Sequence, residues 1–293
     1  MNKRSLVQKI KANFPELKWE VAEHNVKGWD HYVIILDGKY VFRFPRADKY
    51  IQALNNEISL LKYLKEKSNV SVPDYAYIAK DKSFAGYELI EGDQLKKKIF
   101  KALPETTKDI IAKQIAEFLS ILHKTPSKIY SKYTIKDSND RAKYSNLVRK
   151  INKYIRPKFS KKDQILVDSY LKEFKKYLKF PKKVFTHNDL YSSHILISKD
   201  KKSISGIIDF SDRREDDPAI DFCELWGYGR EFVLEVYKHY KGTKDKDFLK
   251  RSIMYYKRIP FWEMISSREG GRGKFKKGLE MFKWRFIHNN IEI

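Results

Sequence analysis

The sequence predicts an α+β fold in two lobes: a small antiparallel sheet with one prominent helix, then a larger, mainly helical lobe holding a β-hairpin. Three observations predict it. Turn signals and alternating apolar residues crowd the N-terminal third. From Leu95 onward apolar residues recur at helical spacing instead. Within that helical part, Val184 to Phe222 reverts to strand, turn and strand, with ionisable residues at the strand ends. A chain of 293 residues, 42% hydrophobic and 14% aromatic, can build one large domain or two small ones. The boundary falls after residue 91, giving lobes 1–91 and 92–293.

Leu6, Ile10 and Phe14 recur every four residues and predict a short helix over 1–17. Trp19 to Leu36 reads as strand, turn, strand, with Asn25 and Gly28 supplying a tight loop. Asp37-Gly38 is a strong hairpin signal. The alternation in Tyr40-Val41-Phe42-Arg43-Phe44 predicts a strand that puts Arg43 with Val41, opposite Phe42 and Phe44, and Pro45 stops it. A helix over Tyr50 to Lys67 buries Leu54, Ile58 and Leu61. Glu57 adjoins that stripe, and pairing with Arg43 accounts for its place there. Strands follow over Tyr75 to Ile78 and Ser83 to Ile90, the second entering a short Gly-containing connector read as a hinge.

In the second lobe, Ile111, Ile115, Phe118 and Leu122 form a core stripe ending near His123. Two further amphipathic helices run over Tyr144 to Ile155 and along Leu166, Tyr170, Phe174 and Leu178. Beyond the hairpin, Ile220 to Tyr240, Phe248 to Met264 and Phe275 to Ile287 are predicted helical. The segment EGGRGKFKKGLEMF holds Gly270, Gly271 and Gly273, but no strand precedes it, so it reads as a loop between helices.

The chemistry concentrates in VFTHNDLYSSHILISKDKKSISGIIDFSDRREDDPAIDF. An apolar approach ends at His187, Asn188 and Asp189, and His194 opens the run Ile195 to Ile197. After the turn-like SKDKKS, the chain returns through Ile207 and Ile208 to Asp209. A hairpin of this spacing brings His194 and Asp209 to one end, beside Asp189. Mg²⁺ prefers one or two carboxylates, waters and phosphate oxygens, so Asp209 with one neighbour suffices to hold it. Asp189 is then free to take or orient the proton of an attacking hydroxyl.

HNDLYSSH followed by IIDF resembles the H-(G/N)-D-x4-(N/H) and I-D-(F/W) motifs of the aminoglycoside phosphotransferase superfamily, antibiotic kinases with a protein-kinase-like fold. The sequence is most similar to the 2''-aminoglycoside phosphotransferases. It also resembles the macrolide phosphotransferases, which share DLY, the His and DDPAID (Asp216 to Asp221). The resemblance makes Asp189 the catalytic base and His194 and Asp209 the metal ligands. An imidazole is an uncommon Mg²⁺ ligand, and a contact through water accommodates it. It makes lobe 1–91 nucleotide-binding and lobe 92–293 catalytic and acceptor-binding. The loop at Gly28 would lie over the nucleotide phosphates, although a single glycine stands where kinases have several. Arg43 occupies the position of the phosphate-holding basic residue, more often Lys, and Glu57 that of its acidic partner. Glu88 and Ile90 would meet the nucleotide base through their backbone, with Tyr87 as gatekeeper; an aromatic gatekeeper accompanies GTP use in some relatives. The implied cofactors are Mg²⁺ and ATP or GTP as phosphate donor.

For the acceptor, Asp212 matches an acidic substrate contact three residues after the metal Asp, and Glu224 is a further candidate. The family's next helix carries several acids. Here WGYGREF puts Gly227 and Arg230 in their place, an Arg that repels ammonium, while Trp226, Tyr228 and Trp262 offer aromatic faces to a sugar or macrolide. Asp217 and Asp221 read as structural, with Asp221 bracing the catalytic loop. The expected acceptor is an aminoglycoside, with a macrolide or a cellular metabolite as alternatives.

Net charge is +23, from 61 basic and 38 acidic residues. Such a surface attracts nucleic acid, the rival function of a different class. The lysines lie in scattered pairs, however, and no nucleic-acid-binding motif is present. One cysteine, Cys223, excludes an internal disulfide. No long apolar run and no secretory leader are read, so the expectation is a cytoplasmic monomer with no membrane attachment and no obligate nucleic acid.

Overall fold

The computed structural model describes residues 1–26, 30–130, 140–178, 182–289 and 291. The first lobe contains α1 (Lys3–Asn13), β1 (Ala22–Asn25), β2 (His31–Leu36), β3 (Tyr40–Pro45), α2 (Asp48–Lys65), β4 (Tyr77–Ile78) and β5 (Ala85–Glu88). Its strands form an antiparallel sheet in the order β1-β2-β3-β5-β4. Asp37 and Gly38 both have left-handed backbone, φ 48° and 62°, as a two-residue hairpin turn requires. The Asp37 carboxylate also accepts the Val21 N–H at 2.7 Å, tying β1 to that turn.

Period-2 alternation decides which face each residue takes. Ile34, Leu36, Phe42 and Phe44 pack with Leu6 and Ile10 of α1. Val41 lies on the other face, in the core containing Leu54 and Leu61 of α2. Arg43 shares that second face, directly across from Val33 of β2, and so points between sheet and helix.

The connector 89–92 leads to the second lobe. Gly92 has φ 146°, and a Cβ there would sit 2.6 Å from the Ile197 carbonyl oxygen, so only glycine fits. Then come β6 (Asp93–Gln94), α3 (Lys97–Lys101), α4 (Glu105–His123), α5 (Ser127–Tyr130), α6 (Asp140–Tyr154) and α7 (Lys161–Lys176). The strands β7 (Val184–Thr186), β8 (Ile195–Ile197), β9 (Ile204–Ile207) and β10 (Arg214–Asp216) follow, and α8 (Arg230–His239), α9 (Phe248–Ser266) and α10 (Phe275–Lys283) complete the lobe. Two small sheets, β6-β8-β9 and β7-β10, mount the central loops on this helical body. The Ile111, Ile115, Phe118 and Leu122 stripe of α4 is buried.

The helix expected over Ile220 to Tyr240 is interrupted. Residues Pro218–Phe222 and Glu224–Tyr228 form two 3₁₀ turns, and α8 starts only at Arg230. Gly229, at φ 121°, breaks the helical path. The last helix ends at Lys283 and widens into a π turn over Trp284–His288. The β7–β10 pairing was not anticipated; it sets Thr186 opposite Arg214 and flanks the loop that starts at His187. Residues 267–274, including the glycine cluster, connect α9 to α10. Among the described residues no helix is long and apolar enough to cross a membrane.

Candidate active site

The β8–β9 hairpin builds the centre. Ile195 pairs with Ile207, and the Ile208 N–H donates to the His194 carbonyl at 2.9 Å, so Asp209 follows directly beside His194. Asn188 and Asp209 both adopt left-handed backbone, φ 65° and 64°. Such kinks are uncommon outside glycine and turn each chain sharply at the strand ends. Two buried groups hold the loop that carries Asp189. The Asp221 carboxylate accepts the His187 and Asn188 N–H groups at 2.8 and 2.7 Å, and meets His123 Nε2 at 2.9 Å. The His187 ring donates from Nε2 to the Ile208 carbonyl at 3.1 Å, while Nδ1 accepts the Asp189 N–H at 3.3 Å. That pair of bonds requires a neutral ring, and burial pushes its pKa down to about 4.

Asp189, His194 and Asp209 converge: one potential ligand atom from each lies within 4.8 Å of the others. His194 Nδ1 donates to the Asp189 carbonyl at 2.7 Å. A carbonyl accepts only, so the ring hydrogen sits on Nδ1 and Nε2 is left toward Asp209 Oδ2, 3.7 Å away. An imidazole oriented by a backbone carbonyl, with its other nitrogen beside a carboxylate, is a donor set suited to a divalent cation.

Above this centre Arg43 donates to Glu57 Oε1 at 2.5 Å and to the Tyr75 hydroxyl at 2.8 Å. Its other nitrogen donates to Ser211 Oγ at 2.7 Å and lies 3.7 Å from Asp209 Oδ1. Ser211 in turn donates to Asp209 Oδ1 at 2.8 Å. Glu57 is only 1% exposed, and its second oxygen is 3.4 Å from Arg213, which also donates to the Ala53 carbonyl of α2 at 2.8 Å.

The two carboxylates of the centre are electrostatically opposite. Burial pushes the Asp189 carboxyl up to about 8, with Asp212, Asp209 and Glu224 adding repulsion. Burial pushes Asp209 the same way, but Arg43, then His194 and the Ser211 hydroxyl, hold it down to about 2. One carboxylate is thus suited to take a proton and the other to remain charged.

On the far side of Asp189 a cavity of about 490 Å³ is lined by Asp212, Glu224 and Trp262 as well as Asp189 itself. Glu224 accepts from Arg285 at 2.8 Å, and Asp212, with its side chain 59% exposed, lies 3.8 Å from Arg214. Trp226 and Tyr228 do not reach this cavity. Trp226 is fully buried and donates to Ser252 Oγ at 2.9 Å, while the Tyr228 hydroxyl donates to the Leu95 carbonyl at 2.6 Å. Arg230 is exposed beside Glu231 and lies outside the lining, so the cations of the cavity are Lys143, Arg214 and Arg258 instead.

Tyr87 is buried on β5 with its ring centroid 5.1 Å from that of Tyr75, next to the Arg43 network. Glu88 ends β5, and the Leu89 N–H donates to the Lys39 carbonyl at 2.7 Å, turning the neighbouring peptide groups of Glu88 and Ile90 away from β3. Both residues border a larger cavity of about 700 Å³ that runs to the end of α2, away from the carboxylate centre. Gly28 lies outside the described residues. Sequence reasoning missed Ser211, Arg213 and Tyr75. Ser211 was traceable as the residue two after Asp209, but the partners of Arg213 lie far away in sequence.

A sheet lobe over a helical lobe, joined by a short connector, defines a kinase-like small-molecule phosphotransferase. The chain belongs to the phosphotransferase enzyme family, whose sequence pattern matches residues 22–250. Solved structures share its fold along nearly the whole length. An aminoglycoside 2'-phosphotransferase-IIIa in complex with GDP matches at 24% identity and TM-score 0.86, covering 99% of this chain and 100% of its own. A GDP and kanamycin complex of APH(2")-IIia matches at 25% and 0.84, with the same coverage. The macrolide 2'-phosphotransferase MphH from Brachybacterium faecium matches at 16% and 0.67, covering 99% of each chain.

Proposed function

We propose that this protein transfers the γ-phosphate of a nucleoside triphosphate to a hydroxyl of a small molecule, with Asp189 as the base. The observation that carries the proposal is the convergence of Asp189, His194 and Asp209 between Arg43 and the cavity. Residues 1–91 bind the nucleotide. The backbone of Glu88 and Ile90 meets the base, Tyr87 backs it, Arg43 faces the phosphates and Glu57 holds Arg43. Asp209 and His194 would hold Mg²⁺, which would supply positive charge to offset that of the phosphate oxygens. Asp189 orients the acceptor hydroxyl and takes its proton. Phosphoryl transfer has a loose transition state, so positioning and charge neutralisation supply most of the rate.

The acceptor in this reading is an aminoglycoside, in keeping with the kanamycin-bound relative and with Asp212 and Glu224 at the cavity. A macrolide is the second reading, favoured by the aromatic and apolar wall of Tyr144, Phe174 and Trp262. The test is a coupled assay offering ATP and GTP separately with kanamycin, a macrolide and a panel of hydroxylated metabolites. Acceptor-dependent nucleotide consumption is expected. No consumption with any acceptor, under either nucleotide, would refute the proposal.

A further inference from the structure

The cavity beside Asp189 has a charge arrangement that a site for a pure polycation does not need. Its carboxylates other than Asp189 each have a cation of this chain at hand. Asp212 is 3.8 Å from Arg214, Asp216 is 3.7 Å from Lys143, and Glu224 is 2.8 Å from Arg285. Arg258 is different. Helix α9 presents Tyr255, Arg258, Ile259 and Trp262 to the cavity, three or four residues apart along one face. The Arg258 guanidinium lies over the Tyr255 ring, 4.8 Å from its centroid, and 5.9 Å from that of Phe174. Among the described residues it makes no hydrogen bond or ion pair, and its Nε is buried without an acceptor.

An arginine held against aromatic rings presents a planar fork of donors whose geometry matches a carboxylate. A buried donor without an acceptor is costly unless a ligand supplies one. We infer that Arg258 is a specificity-determining residue that receives an anionic oxygen group of the acceptor, so that the cavity is bipolar. A carboxylate is the group that fits. It would sit at α9, while the hydroxyl to be phosphorylated sits at Asp189. The acceptor class is therefore a hydroxylated molecule with an acidic group, zwitterionic where it also carries an amine for Asp212. This rests on the reading of the cavity as the acceptor site and narrows the acceptor proposed there.

The test compares two probes, D-glucuronate and its methyl ester, by calorimetric or ligand-observed NMR titration of the full-length protein. The acid is expected to bind about tenfold tighter than the ester, as one close ion pair in a partly enclosed site implies. Arg258→Ala should erase the difference and Arg258→Lys should keep part of it. Arg258→Gln, nearly isosteric, replaces the alanine variant if that does not fold. Equal binding of acid and ester by the unmodified protein would overturn the inference, as would a preference that survives loss of the guanidinium. In a kinetic arm, Arg258→Glu is expected to lower the KM for kanamycin about tenfold, and an unchanged KM would also count against it. Absence of all phosphoryl transfer would refute the catalytic reading alone, because the titrations need no turnover.

Discussion

Asp189 separates two regions that manage charge in different ways. On the proposed donor side Arg43, Glu57 and Arg213 are 7%, 1% and 4% exposed, and Tyr75 and Ser211 tie them into one network. On the proposed acceptor side Trp262 is 37% exposed, and the cavity charges stand in separate pairs at 2.8 to 3.8 Å. A buried ionic network is expensive to desolvate and is stable only when nearly every donor and acceptor is met. It suits a ligand that never varies, such as a triphosphate tail. The Asp212–Arg214 pair, with side chains 59% and 31% exposed, is weak by itself, so that part of the cavity wall can change its ligand without endangering the fold.

Predictions can break or sharpen this contrast. The largest effect is expected at the boundary itself. Asp189→Asn should cut turnover by about 10²–10⁴-fold, the usual contribution of a positioned base, while fold and nucleotide affinity stay largely intact. Steady-state kinetics beside a nucleotide titration would check it, and near-normal turnover would remove Asp189 from the base role. Next in size is the donor network. Glu57→Ala leaves two buried arginines facing each other without their shared partner and should cost about 3–5 kcal/mol of stability by denaturant titration. A loss below about 1 kcal/mol would mean that the network is not integral.

Acid should attack the same side. Burial keeps His31 and His187 neutral, with pKa values lowered to about 3 and about 4. The unfolded chain takes up these protons first, so folding stability is complete above the unfolded value near 6.5 and is lost as pH falls below it. The slope should approach about 1.4 kcal/mol per pH unit for each residue, or roughly 3 kcal/mol for His187 by pH 4. Thermal melts between pH 7 and 4 read this directly; a flat profile would contradict the buried neutral rings. The smallest effect belongs to the cavity. Asp212→Asn should raise the acceptor KM only about two- to fivefold with stability unchanged, since its side chain is 59% exposed. A collapse in stability there would erase the distinction between the two sides.

Much of the centre was legible before any coordinates. A turn-rich SKDKKS between two short apolar runs leaves the chain little choice but to return, and a hairpin's register then places His194 near Asp209. The Arg43–Glu57 pair was legible because each residue breaks the pattern of its own element. The cavity was not. Trp226 read as an aromatic face for ligand, yet the core of the second lobe absorbs it. Arg213, one charge among many in DFSDRREDD, spans back to Ala53 and Glu57 of α2. Arg258 sat unnoticed inside a helix that periodicity identified but could not orient toward Asp189.

Local pattern by itself determined the order of elements, the hairpin and the charges carried at its ends, because alternation, helical period and turn residues act over a few positions. Only the tertiary structure decided which distant side chains share a charge. That depends on how α2, α9 and the central loops pack together, and no short-range rule encodes whether an arginine meets a carboxylate or an open cavity.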